Sequence, residues 1–152
     1  MTDPIAFDST TPRFALPLLY TGQAQKEVFV NEAFTLADAL LHCTVEGEAT
    51  APPENATDGA TWIIATGASG DWSGKDGMLA SRANGAWIFI APRIGMRVFD
   101  GSTRQDRLFS GYWRKASPLA EPVGGSTVDG EARAAIVNLV ASLQAVGILP
   151  SA

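Results

Sequence analysis

Between Asp58 and Phe99, short apolar runs alternate with glycine-rich breaks: Trp62–Ala65, Met78–Ser81, Ala86–Ala91 and Met96–Phe99. Runs of this length bounded by turn residues read as strands. Asn84-Gly85 joins two of them, and that pair is the strongest short-range hairpin signal, because a type I′ turn needs positive φ at both central positions. Gly67, Gly70, Gly74 and Gly77 surround Trp72 and exclude a single helix through the first two runs. The pattern predicts an α+β fold: a small twisted antiparallel β-sheet with one packed helix, plus a C-terminal oligomerisation helix. Trp62, Trp72 and Trp87 supply much of the sheet's apolar area, and the other segments read as ways of holding or repeating this unit.

Residues 1–13 are polar, with two prolines and little periodicity, and predict a flexible arm in which Ile5 and Phe7 are the candidate anchors for a partner. An α+β domain is expected over 14–115. Within it, Pro17 limits Phe14–Leu19 to an edge or extended segment. Asn31 caps a helix from Glu32 to His42, whose apolar face is Ala33, Leu36, Ala37, Leu40 and Leu41. Val45–Thr57, with Pro52-Pro53, reads as a loop or edge connection. Pro92 and Gly95 break the pairing before Met96–Phe99, Asp100-Gly101 is a second turn, and Arg104–Arg114 predicts one last strand.

Residues 116–127 have the Pro and Gly-Gly composition of a linker, and 128–152 hold a helix for self-association. Asp129 is its N-cap, Glu131 lies in the first turn, Gly147 takes the left-handed position after the end, and Pro150 prevents continuation. Ala132, Ile136, Leu139, Leu143 and Val146 recur in alternating steps of four and three, a heptad seam for self-association, with Val140 of the opposite face (Val137, Val140, Ala141) counted among the candidate oligomerisation residues. No charge occurs from Ala134 to Leu149, so the opposite face is apolar as well. Such a helix is buried or in lipid, and this stretch falls short of the ~20 residues that span a bilayer. Either its own sheet covers it or copies meet around a symmetry axis; the oligomer is preferred, with the globular parts helping because two heptads are too short alone.

The chain has 152 residues, a one-domain length with room for appendages. Only 18% of residues are charged against 46% hydrophobic, which points to surface hidden by partners. A net charge of −5 without a basic run argues against nucleic-acid binding. One cysteine, Cys43, and one histidine, His42, supply neither a disulfide nor a Cys/His zinc set. Cys43 reads as a small buried residue. The first residues show no positively charged start followed by an apolar core and a cleavage site, so the expectation is no secretory signal and synthesis in the cytoplasm.

With one histidine and no nucleophile elbow, no Ser/His/Asp or Cys/His constellation can be assembled. The glycine loop lacks a Walker lysine-hydroxyl pair, and Asp71 and Asp76 read as turn residues rather than a glycosidase pair. The expectation is no enzyme, no catalytic residue, no cofactor and no metal. Trp72, Tyr112 and Trp113 are candidate carbohydrate contacts, since exposed aromatic faces stack on sugar rings.

The combination of Gly22-Gln23-Ala24-Gln25-Lys26, Asn31-Glu32-Ala33, Pro52-Pro53, Asp58-Gly59, Gly70-Asp71-Trp72 and Gly85-Ala86-Trp87 through Pro92 and Gly95 is specific. From Arg13 to Trp113 the chain resembles a domain family of alphaproteobacterial phages and prophages that also occurs in gene transfer agent particles. The resemblance implies a structural role on the surface of a released phage-like particle, joining a capsid protein at a vertex to a spike fibre protein that contacts the host. It further implies a capsid-facing arm and a cyclic homo-oligomer, a pentamer if it matches the vertex or a trimer if it matches the fibre. A carbohydrate-binding module contacting cell-surface polysaccharide is the alternative. No nucleic acid and no membrane insertion are expected.

Overall fold

Helix α1 (Glu27–Leu40) begins more than a turn before the expected cap. The computed structural model describes residues 10–14, 16, 18–19, 27–120, 124 and 129–150. Asn31 lies inside the helix and caps nothing. Its Oδ1 accepts the Leu19 amide at 2.8 Å, and its Nδ2 donates to the Leu19 carbonyl at 3.0 Å. A primary amide offers an acceptor and a donor side by side, so it pairs with an extended residue as a neighbouring strand would.

Asp38 extends this polar side. It is buried, and its carboxylate accepts the amides of Arg13 at 2.9 Å and Phe14 at 2.7 Å. Arg13 answers from the other direction. Its Nη1 donates to the carbonyls of Asp38, Ala39 and Leu41 at 2.7, 2.9 and 3.1 Å, and its Nη2 to that of His42 at 2.9 Å. The last carbonyls of a helix lack intrahelical partners and form the negative end of its dipole, so a guanidinium stabilises them twice over. Arg13 is therefore docked rather than part of a flexible arm, and Thr11 is buried beside it. Arg13→Ala is expected to lower stability by about 2 kcal/mol, the scale of a charge-assisted hydrogen-bond set. Urea melts, and faster amide exchange in the last turn of α1, would measure the loss.

The expected apolar face of α1 is correspondingly turned outward. Ala33, Ala37, Leu40 and Leu41 are exposed, Leu36 is half-buried, and Phe29 is 75% exposed. The segment around Arg13 and Leu19 has backbone groups to satisfy, and only the Asn31 and Asp38 side of the helix can do so.

Strands β1 (Thr44–Val45) and β2 (Glu48–Ala49) follow, and each joins a different sheet. β2 runs parallel to β3 (Thr61–Ile64), which pairs antiparallel with β4 (Leu79–Ala83), and β4 with β5 (Ala86–Ile90). β1 runs parallel to β6 (Arg97–Asp100), which continues antiparallel through β7 (Gln105–Phe109) to β8 (Trp113–Arg114). The fold is α+β, with two four-stranded mixed sheets in place of one antiparallel sheet. Both sheets share a plan: a three-strand meander with a two-residue strand added parallel to its first strand. Pro92 and the turn closed by Met96 N–H on the Arg93 carbonyl separate β5 from β6, which takes β1 and β7 as partners. The segment from Arg104 to Arg114 is a hairpin, not one strand.

The described residues form two compact units: those up to Cys43 with Glu48–Ala91, and Thr44–Gly47 with those from Pro92 onward. In the first unit Trp62, Ala80 and Phe89 stand opposite one another across β3, β4 and β5. Small Ala80 leaves room above it. Trp72, on a 3-10 turn (Gly70–Trp72), fills this space and meets Trp87 edge-on at 5.1 Å and Trp62 at 6.5 Å. The Asp76 carboxylate accepts the amides of Gly67 and Ala68, and these bonds hold its pKa below the usual carboxylate range. Asp76 is thus a loop anchor. At the hairpin, Asn84 (φ 50°) and Gly85 (φ 73°) adopt the left-handed pair that the turn needs, and Asp58 accepts the Gly85 amide. Cys43 is buried, and burial pushes its thiol pKa up despite the nearby Arg13 charge.

Candidate functional site

In the second unit, helix α2 (Gly130–Ala145) starts and stops where its residues dictate. Asp129 Oδ1 accepts the Ala132 amide at 2.9 Å. At the far end Gly147 has φ 73°; its amide bonds the Gln144 carbonyl, and the Ile148 amide bonds that of Leu143. This pair of bonds is the Schellman motif, which a left-handed residue makes possible.

The C-terminal end of α2 is what ties it to its sheet. The Gly147 carbonyl accepts the Asp106 amide of β7 at 2.6 Å, and Leu149 is buried. A side chain at Gly147 would meet the Phe99 ring at 3.1 Å as well as straining the backbone, so close approach and left-handed geometry both require glycine there.

No residue of α2 itself is buried. Of the seam positions, Ile136 is 45% exposed, Leu139 58% and Val146 67%; Ala132 is exposed, while Val140 and Leu143 are half-buried. On the opposite side Val137 and Ala141 are exposed as well. The sheet of the same unit therefore covers little of this apolar helix. Beside its last turn lies an open groove of about 540 Å³, lined by Phe99, Arg104, Ala141, Gln144, Ala145, Val146 and Gly147. Sequence periodicity marked the seam. The groove was invisible to it, because Phe99 lies more than forty positions before Ala141 in the chain.

The other candidates scatter. Trp72 is completely buried and has no ring face to offer a sugar, so its assignment as a carbohydrate contact is corrected: glycines flanking an aromatic residue let the loop fold inward over Ala80. Trp113 is half-buried, edge-on to Phe109 at 5.2 Å. Tyr112 alone of the three is well exposed, and the Arg114 guanidinium lies 4.8 Å from its ring centre. Ile5 and Phe7 lie outside the described residues. Asp71 is exposed on the glycine loop. Among the described residues no group of His, Cys, Asp and Glu side chains is placed to hold a metal ion, and no helix is long and apolar enough to cross a membrane.

No curated protein matches the chain. A family model described as "Protein of unknown function (DUF2793)" matches residues 30–114, which is more than half of the sequence. Those residues take in most of α1 and both sheets but stop short of α2. The chain belongs to that family.

Proposed function

We propose that this chain is a non-enzymatic structural subunit of a phage-like particle, assembling into a cyclic homo-oligomer through α2. The whole chain resembles the head spike base protein of a gene transfer agent. In that role it joins a capsid protein at a vertex to a spike fibre protein, with Ile5 and Phe7 of its N-terminal arm as the capsid anchors. The observation that carries the proposal is α2: uncharged from Ala134 onward, with aliphatic side chains on its seam and on the opposite side, and without a buried residue in a single subunit. Apolar surface of that extent is stable in water only when another surface covers it. The helix also lies beyond the residues common to the family, as an assembly element added to a shared domain would.

Light scattering of the full-length chain tests the proposal. The expected mass is that of a trimer or pentamer, falling to one subunit in an Ile136→Asp/Leu139→Asp double variant whose circular dichroism is unchanged. A wild-type monomer at micromolar concentration overturns it. The exposed ring of Tyr112 favours a second reading, a carbohydrate-binding module. Purified capsular polysaccharide separates the two: the adaptor leaves it unbound, whereas a lectin binds it and loses that binding on Tyr112→Ala.

A further inference from the structure

We propose that the open edge of β5 takes up an extended acidic segment of a partner protein, as an added strand of its sheet. The inference is independent of α2 and of self-association. In the order β2-β3-β4-β5, β5 has a neighbour on one side only. Its residues, Ala86 to Ile90, include two aromatics and two isoleucines, with no charge and no proline. Edges of this composition invite pairing, and proteins that leave an edge unused blunt it with charge, proline or a bulge.

The turn fixes which backbone groups are open. A two-residue turn at Asn84-Gly85 makes Ala83 and Ala86 the hydrogen-bonded pair that closes it, and such pairs recur at alternate positions. Ala86, Ile88 and Ile90 therefore bond to β4, while Trp87 and Phe89 direct their N–H and C=O groups away from it. The β4 side agrees. Arg82, opposite Trp87, donates its amide to the Ala60 carbonyl at 2.9 Å and accepts the Gly59 amide at 2.7 Å. No described residue bonds the outward groups of Trp87 and Phe89. Two donors and two acceptors along one edge are what an added strand needs.

Charge selects the strand. The side chains of Trp87 and Phe89 share a face with Trp62, Ala80 and Arg82. The Arg82 guanidinium lies 5.1 Å from the Trp87 ring centre, and the Lys75 ammonium 4.3 Å from that of Phe89. Both cations are half-buried, and neither is ion-paired among the described residues. Carboxylates at alternate positions of an added strand fall on this face beside both cations, where opposite charges on neighbouring strands stabilise the pair. The residues between them meet Ile88 and Ile90 on the other face. A second copy is the poorer occupant. Antiparallel pairing of two β5 strands puts Lys75 and Arg82 of both copies on one face, and like charges there oppose it.

Amide hydrogen exchange of the full-length chain, followed by NMR, tests this pairing. The probe is a short end-blocked peptide alternating glutamate and valine, at millimolar concentration. In the free protein the Trp87 and Phe89 amides are expected to exchange fast, and those of Ile88 and Ile90 slowly. The peptide is expected to slow Trp87 and Phe89 by about tenfold, the scale of one added hydrogen bond, and Ile88 and Ile90 by less. A peptide alternating lysine and valine is expected to have no effect, and Lys75→Glu/Arg82→Glu to reverse that preference. Equal binding of both peptides to the unmutated protein would show that the cations select nothing. Binding that leaves Trp87 and Phe89 open to exchange would place the peptide elsewhere. Either result overturns the proposal, and so does a glutamate peptide that does not bind. Slow exchange of Trp87 and Phe89 before any peptide is added overturns it too: protection that fades on dilution assigns the edge to a second copy, and protection that persists assigns it to the chain itself.

Discussion

Trp72→Ala is expected to cost about 3–5 kcal/mol, the range for truncating a buried aromatic residue. The indole is fully buried, packed against Trp87 and Trp62, and covers Ile64 and Ala80 on the sheet face. Deleting it opens a void beneath two half-buried tryptophans and removes two aromatic contacts, each worth about 0.5–1.5 kcal/mol beyond area. The Trp72 Nε1 group has no hydrogen-bond partner in its buried position. Trp72→Phe therefore removes an unpaired donor along with some apolar area, and a smaller loss is expected for it than for alanine. Urea denaturation of the two variants measures both effects. A loss below about 1 kcal/mol for Trp72→Ala would show that the tryptophan cluster is not the core of its unit.

Breaking the ion pair of the second unit is expected to cost as much. Asp100 and Arg107 are both buried; Arg107 Nε and Nη2 donate to Asp100 Oδ2 at 2.7 and 2.6 Å. The other carboxylate oxygen accepts the Ser102 amide at 2.9 Å and the Ser102 hydroxyl at 2.6 Å, with the Thr103 amide at 3.3 Å. One side chain thus fixes the β6–β7 turn and bridges the two strands. Asp100→Ala takes from the buried Arg107 guanidinium the carboxylate it bonds at two nitrogens, at an expected loss of about 3–5 kcal/mol. An Asp100→Leu/Arg107→Met pair, which removes both charges, is expected to lose less than either single change, because it leaves no unpaired charge.

The same pair sets an acid limit. Burial pushes the Asp100 pKa up, but hydrogen bonds from Ser102 and Arg107, the Arg107 charge and the Thr103 bond outweigh it and hold the carboxyl below its ordinary value. A carboxyl whose native pKa lies below the unfolded value of about 3.9 contributes stability above that pH. The contribution is lost as pH falls through the native value. Arg107→Gln removes the charge that lowers it, so acid unfolding followed by circular dichroism is expected to begin at higher pH in the variant. An unchanged acid midpoint would mean that the pair does not govern this transition.

Signals confined to a few adjacent residues were legible in the sequence. Asn84-Gly85 made its hairpin, Asp129 its cap and Gly147 its helix stop, because each depends on φ preferences and hydrogen bonds within one turn of chain. Strands β1 and β2 were not legible. Two residues carry no periodicity, and Thr44 pairs with Phe99 from far along the chain. Asn31 follows a local rule that tertiary structure overrode: its capping chemistry was available, but the Leu19 backbone was the better partner. The same competition turned the apolar face of α1 outward. For Trp72, glycine spacing announced a loop but could not tell a ring folded inward from one held out to a ligand.

Taken alone, the sequence determined the α+β class, most of the strands, both ends of α2 and the absence of charge from Ala134 to the end of that helix. Only the tertiary structure decided that the strands divide between two sheets, that Trp72 is core, and that α2 is tied to its own unit by its last turn while its flanks stay uncovered. The physical reason is range. Turn and cap preferences act through neighbouring dihedral angles and can be read in order, whereas burial depends on which distant segments fill the same space.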